Sequence, residues 1–306
     1  MNKEKCHVLC RLKSRSIISK LLVVSILVFV LGLVNAEQTG DSLNTDSDFK
    51  NNETLSNWLI QGENFFENGD FVLALKNYQN AYEISPDDSD ILYKIGLTHL
   101  MLGNMEIAEQ YFNDSIRKNG NPEVLFYHGV ANYGLKRYSQ SVKSYGKYLD
   151  FYPNDSYALF NLGQAYEQDG KYNLALQAYE NATRVDPSYA KPWYFIGVLY
   201  GSFGNHLMAR NAYVHYIELE PDDHRGWFAL SLEEYSLKNV TESVIAMEHA
   251  VRLNSNNTMY QQYLEILLEG DNNSSNKNQN IPLSMISIII ALFTGIISIR
   301  CHMKII

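Results

Sequence analysis

The sequence predicts an all-α chain built from one repeated helix–turn–helix unit. Three observations predict it. Small residues recur at Gly62, Gly96, Gly129, Gly163, Gly197 and Ser231, at spacings of 34, 33, 34, 34 and 34 residues. Apolar and aromatic side chains keep the same register around each of them. Glycine (18) and proline (7) are sparse among 306 residues, which suits helices and not a sandwich of many short strands. A fixed period of this length is the mark of stacked supersecondary units.

The first 36 residues stand apart from this pattern. Lys3, Lys5, Arg11, Lys13, Arg15 and Lys20 form a basic region, and Leu21 to Val34 is apolar apart from Ser25 and Gly32. The run ends in Val34-Asn35-Ala36, with small or apolar residues at the two positions, 34 and 36, where signal peptidase needs them. This is the plan of a secretory signal peptide, with an uncleaved signal anchor as the other reading. Either one puts the following chain outside the cytoplasm. Residues 37–54 read as a polar leader.

Residues 55–257 then divide into six units. Four residues before each small residue stand Trp58, Leu92, Leu125, Leu159, Trp193 and Trp227. Twelve after it come Ala74, Ala108, Ser141, Ala175, Ala209 and Ser243, and sixteen after it Tyr78, Phe112, Tyr145, Tyr179, Tyr213 and Met247. Small residues in two columns let two helices approach, and large residues beside them fill the gap. Pro86, Pro153, Pro187 and Pro221 end second helices, because proline has no amide donor and clashes with the preceding turn. Asp87-Asp88, Asn154-Asp155 and Asp222-Asp223 follow and can cap the next helix. Gly69, Gly103, Gly170 and Gly204 fall between the two helices of their units.

These columns resemble the tetratricopeptide repeat. Gln164 to Tyr172 and Pro192 to Tyr200 read close to that family's consensus. The resemblance implies a right-handed solenoid of about six repeats whose first helices line a concave groove. Departures are visible: Tyr148 and Tyr216 fill a column that usually holds alanine, so looser packing is expected in the third and fifth units. Lys136 replaces a turn glycine, and Glu234 an aromatic. Residues 258–269 read as a capping helix, since Met259, Tyr260, Tyr263, Leu264, Leu267 and Leu268 have helical spacing. Residues 270–280 are Asn/Ser-rich and read as a flexible stalk. Residues 281–299 carry no charge, long enough for a transmembrane helix, and Arg300 and Lys304 in the tail (300–306) suit the cytoplasmic side. A cleaved glycolipid-anchor signal is the competing reading.

No P-loop, dinucleotide fingerprint or nucleophile elbow is present, so no enzyme, cofactor or metal site is expected. His224 beside Asp222 and Asp223 reads as a capped loop. By resemblance, a peptide-binding groove holds Tyr93, Lys94, Phe126, Tyr127, Phe160, Asn161, Gln164, Tyr194, Phe195 and Phe228, with Tyr133 and Tyr235. Tyr93, Phe126, Phe160, Tyr194 and Phe228 form an aromatic ladder suited to an extended peptide or to sugar rings. The paired amides Asn161 and Gln164 suit a peptide backbone. Some family members hold a C-terminal carboxylate with a Lys/Asn/Arg clamp. The basic groove positions here, Lys94, Lys191 and Arg225, do not form that set.

Asn-x-Ser/Thr occurs at Asn52, Asn113, Asn154, Asn181, Asn239, Asn256, Asn272 and Asn273. With 30 Asn and 33 Ser plus Thr in the chain, chance gives roughly 3 such motifs. Glycosylation there would leave the groove bare. Net charge is −9 overall, but residues 37–280 hold 17 Lys/Arg and 33 Asp/Glu, a net −16. That argues against nucleic acid as a partner and for a basic or neutral ligand. The expected protein is a cell-membrane, single-pass, extracytoplasmic scaffold or assembly factor binding protein or peptide in its groove. Alternatives are a carbohydrate or cell-envelope binder and a regulatory subunit of a membrane complex.

Overall fold

The computed structural model describes residues 45–274, and every regular element among them is an α-helix. First helices are α1 (Thr45–Asn68), α3 (Ser89–Leu102), α5 (Glu123–Gly134), α7 (Ser156–Gln168), α9 (Ala190–Ser202) and α11 (His224–Ser236). Second helices are α2 (Phe71–Ile84), α4 (Met105–Arg117), α6 (Tyr138–Phe151), α8 (Tyr172–Val185), α10 (His206–Leu219) and α12 (Val240–Leu253). A final helix, α13, covers Thr258–Ser274. The expected signal segment, membrane span and cytoplasmic tail lie outside the described residues. Among the described residues no helix is long and apolar enough to cross a membrane.

Two boundaries differ from the sequence reading. Helix α1 begins at Thr45, inside the expected polar leader. No glycine or proline occurs between Gly40 and Gly62, so nothing there stops a helix. Helix α13 continues to Ser274, inside the expected stalk. An isolated glycine such as Gly270 weakens a helix by only about 1 kcal/mol and does not end it.

The chain forms two compact units, one ending at Arg137 and the other beginning at Tyr138. In each unit the helix pairs are locked by a small residue pressed against a ring. A Cβ placed on Gly163 would lie 2.5 Å from Tyr179 Cε1, and on Gly96 it would lie 2.7 Å from Phe112. Tyr179 is fully buried, and its hydroxyl donates to Glu167 Oε2 at 2.9 Å, so the ring cannot swing away. The sixth repeat solves the same problem differently. Ser231 and Ser243 exchange bonds across α11 and α12, each hydroxyl donating to the other residue's carbonyl at 2.8 Å. Met247 replaces the ring, and a flexible thioether leaves room for the serine Cβ.

The turns and caps follow the sequence closely. Gly103 ends α3 at φ 86°, in the left-handed region that a Cβ disfavours. Lys136 and Lys238 occupy the equivalent places at φ 59° and 67°, which strains an ordinary side chain. Asp88 Oδ1 accepts from the amides of Asp90 (2.8 Å) and Ile91 (3.3 Å), and Asp155 Oδ1 accepts from Ala158 (3.0 Å). Gln61 is exposed at the face where Ile95, Ile196 and Leu230 are buried, so α1 offers a polar side where other first helices pack.

Tyr148 and Tyr216 correct an expectation. They do not loosen their repeats: both are buried, and each hydroxyl donates to the capping aspartate seven residues on, Tyr148 to Asp155 at 2.8 Å and Tyr216 to Asp223 at 2.5 Å. The next repeat is thereby tied to the helix before it. In the intervening fourth repeat the same place holds Ala182, and Tyr189, seven residues on, supplies the ring instead, meeting Phe160 at 5.4 Å.

Two stability measurements check this packing. Gly163→Ala should destabilise the chain by about 2 kcal/mol through overpacking, read as a lower urea midpoint. Lys238→Gly should raise that midpoint by an amount equivalent to about 1 kcal/mol, by relieving the left-handed strain.

Candidate functional site

The candidate site is the face that the first helices present within each unit. In the first unit the rings assigned to a groove serve packing. Tyr93 of α3 lies 6.3 Å from Phe112 on α4 and 5.9 Å from Tyr127 on α5. Phe126 and Tyr127 are buried, at 2% and 4% exposure, and offer a ligand almost no surface. Lys94 is half-buried, and its ammonium donates to Glu63 Oε1 on α1 at 2.5 Å. It therefore acts first as a tie between two first helices.

The second unit repeats this seam. Phe160 (3% exposed) lies 5.5 Å from Tyr179 on α8 and 5.5 Å from Phe195 on α9. Phe228 (7%) stacks on Tyr260 of α13 at 4.7 Å and meets Tyr263 edge-on at 6.3 Å. Phe160 and Phe228 are thus buried between repeats, because each ring reaches the following helix before it reaches solvent. Tyr194 is half-buried against Tyr213 (5.7 Å) and Tyr216 (5.2 Å) of α10.

Asn161 and Gln164 differ from their neighbours. They lie one turn apart on α7, both half-exposed, and neither hydrogen-bonds to another described residue. Each presents a donor and an acceptor, the complement of an extended peptide backbone.

A cluster at the start of α11 joins residues that the sequence did not bring together. Arg225 Nε donates to both Asp223 oxygens, at 3.0 and 3.1 Å, and its Nη2 donates to Oδ2 at 2.6 Å. The guanidinium lies 5.9 Å from the Tyr194 ring centroid. Burial pushes the Asp223 carboxyl up, but the bonds from Arg225 and Tyr216 and the Arg225 amide outweigh it and hold it at about 2. Burial, then the bond to Asp223, raises the Tyr216 phenol. One signal could have found this cluster: tyrosine in an alanine column recurs seven residues before an aspartate in both the third and fifth repeats.

Acidic residues are also buried between α10 and α11. Glu233 accepts from His206 Nδ1 at 2.8 Å, and Glu234 accepts from Arg210 Nε at 2.6 Å and Asn239 Nδ2 at 2.7 Å. Burial raises the Glu233 carboxyl above its ordinary value, against the opposing His206 bond. His224 packs with Tyr260, 2.9 Å from its hydroxyl. Among the described residues no group of three or more His, Cys, Asp or Glu side chains could hold a metal ion. Trp193 and Trp227 each donate to an inter-repeat proline carbonyl, Pro187 at 3.1 Å and Pro221 at 2.8 Å; Trp227 stacks on His249, and Trp193 meets His215 at a tilt of 38°.

The sequons with described side chains lie away from the first helices. Asn113 is on α4 and Asn181 on α8. Asn154 and Asn256 are exposed in inter-repeat loops, and Asn239 precedes α12. Asn113 already donates to Glu109 at 2.6 Å.

Asp223 gives a measurable pH dependence. Its folded value of about 2 lies below the ordinary 3.8, so its contribution is present above the unfolded value and lost as pH falls through the folded one. Asp223→Asn should cost about 2 kcal/mol at neutral pH and leave stability flatter below about pH 4 in acid-series urea melts.

Comparison with known proteins agrees with this architecture. A profile described as TPR repeat matches residues 62–103, and profiles described as tetratricopeptide repeat match 89–119, 123–155, 156–189 and 190–223. The chain is 30% identical over 135 residues to the CTR9 homolog of Arabidopsis thaliana, covering 42% of this chain and 12% of that protein. It is 39% identical over 54 residues to the photosystem I assembly protein Ycf3 of Rippkaea orientalis, covering 17% of this chain and 31% of that one. It thus spans only a small part of the curated relatives it matches. Among solved structures, PilF of Pseudomonas aeruginosa superposes with a TM-score of 0.58 at 18% identity, over 70% of this chain and 98% of that one. YrrB, described as a TPR protein with an unusual peptide-binding site, gives 0.54 at 21% identity, over 62% and 97%. At these identities the likeness shows the fold alone.

Proposed function

Because this chain belongs to the tetratricopeptide-repeat family, we propose that it is a scaffold or assembly factor that binds a protein segment along its first-helix face. The repeats supply a ready-made surface for an extended partner. The observation that carries this reading is the pair Asn161 and Gln164, half-exposed amides without partners on a face whose other polar groups are largely engaged. Unpaired amides in a half-dry setting gain most from a peptide backbone that satisfies them. The burial of Phe126, Phe160 and Phe228 counts against sugar stacking on a continuous ladder, which needs open ring faces.

The reading extends to location. Residues 281–299 act as a membrane span, the repeats stand on the extracytoplasmic side, and the N-terminal 36 residues direct export. Exposed Asn154 and Asn256 are the sequons best placed to carry glycans. The acidic composition of residues 37–280 favours a basic or neutral partner segment.

Crosslinking on intact cells followed by mass spectrometry identifies the partner. The double variant Asn161→Ala with Gln164→Ala should weaken that partner's affinity by about 2 kcal/mol, roughly 30-fold, while leaving the melting temperature unchanged. Unchanged affinity would remove α7 from the binding face.

A further inference from the structure

The last helix fixes where the chain leaves the second unit. His224 of α11 lies 2.9 Å from Tyr260 of α13, Phe228 meets Tyr263 one turn on, and Leu232 shares a core cluster with Leu267. Residue numbers rise together along both helices, so α11 and α13 run parallel. Helix α11 ends at Ser236, at the edge where the turn to α12 is made. Helix α13 ends at Ser274, so the chain leaves the helices at that same turn edge. Only residues 275–280 separate it from the uncharged stretch 281–299, and six residues reach at most about 20 Å.

The turn edge is chemically distinct. Helices α8 and α10 begin there, and Tyr172, Leu174, Phe203, Leu207 and Met208 are 43 to 57% exposed. Lys171, Lys238 and one acid, Glu242 in the first turn of α12, are exposed on the same edge, and the carboxylate of Asp169 is taken up by Lys171 at 2.7 Å. The opposite edge, at the inter-repeat loops, also exposes Phe151 and Leu219, but there Asp150, Glu218, Glu220 and Asp222 stand with Arg184, Lys191, Arg225 and Arg252, and Asp155, Asp186 and Asp223 leave that edge net acidic. Large apolar groups with few charges among them suit the lipid interface, whereas a densely charged, net acidic edge is repelled by anionic headgroups.

We propose that the turn edge of the second unit rests on the bilayer surface, with Phe203, Leu207 and Met208 among the lipid headgroups, a placement that rests on reading residues 281–299 as a membrane span. The inter-repeat edge with Asn154 and Asn256 then points away from the membrane. Asn239, on the turn edge, keeps its bond to Glu234 and carries no glycan.

The test uses the full chain with Cys6, Cys10 and Cys301 changed to Ser and one new cysteine, Leu207→Cys or Glu220→Cys, carrying a nitroxide. Both positions are exposed, so neither change disturbs the core. The protein is reconstituted in vesicles of phosphatidylcholine and phosphatidylglycerol. The label at 207 should be several-fold less accessible to a water-soluble nickel chelate than the label at 220, and more accessible to oxygen. Alkaline carbonate extraction tests the span separately. Release by carbonate would overturn both the span and the edge placement. An integral protein whose two labels are equally open to nickel, or a glycan found on Asn239, would overturn the edge placement alone.

Discussion

The structure depends on one contact repeated along the chain: a glycine on a first helix pressed against a ring on its second helix. Where a Cβ would fall 2.5 Å from the Tyr179 ring, the helices stand closer than any larger residue allows. That closeness buries Tyr179 and Phe112 fully, and buried aromatic area is the largest apolar gain a short helix pair can make. Each pair still leaves an apolar face open, which only the next pair covers. The 34-residue period is the sequence record of that geometry.

Departures from the period are compensated locally. Serine replaces glycine only where methionine replaces the ring. Tyrosine replaces alanine at 148 and 216 only where an aspartate seven residues on can accept its hydroxyl, and alanine returns at 182 where Tyr189 fills the space. The pair of glutamates at 233 and 234, where the preceding repeat has Leu199 and Tyr200, is matched by His206 and Arg210 one turn apart on α10. Removing one member of any such pair would leave a void or an unpaired buried polar group.

Much of the fold was legible because period and turn chemistry are local properties. The spacing of Gly62 to Ser231 gave the number of repeats, and the prolines gave the ends of four of the six second helices. The site was less legible. The register showed that Phe126, Phe160 and Phe228 share a column, but the distance to the next helix decides whether a ring faces a groove or a neighbour. The roles of Tyr148 and Tyr216 were hidden for the same reason: a hydroxyl seven residues from a carboxylate means nothing until the loop between them folds back. Asn161 and Gln164 stood out in both views because a free amide is defined by what does not surround it.

The tryptophans carry a consequence for how the protein reports on itself. Trp58, Trp193 and Trp227 occupy one column, in the first, fifth and sixth repeats, and the latter two hold inter-repeat prolines while packed against imidazole rings. The second, third and fourth repeats hold no tryptophan of their own, and the fourth is reported only through Trp193, which bonds to Pro187 and packs on the Phe160–Tyr179 cluster. A quasi-one-dimensional array can lose its ends before its middle. Far-ultraviolet ellipticity counts every helix equally, so the gap between the two optical signals measures how far the array melts as a single body.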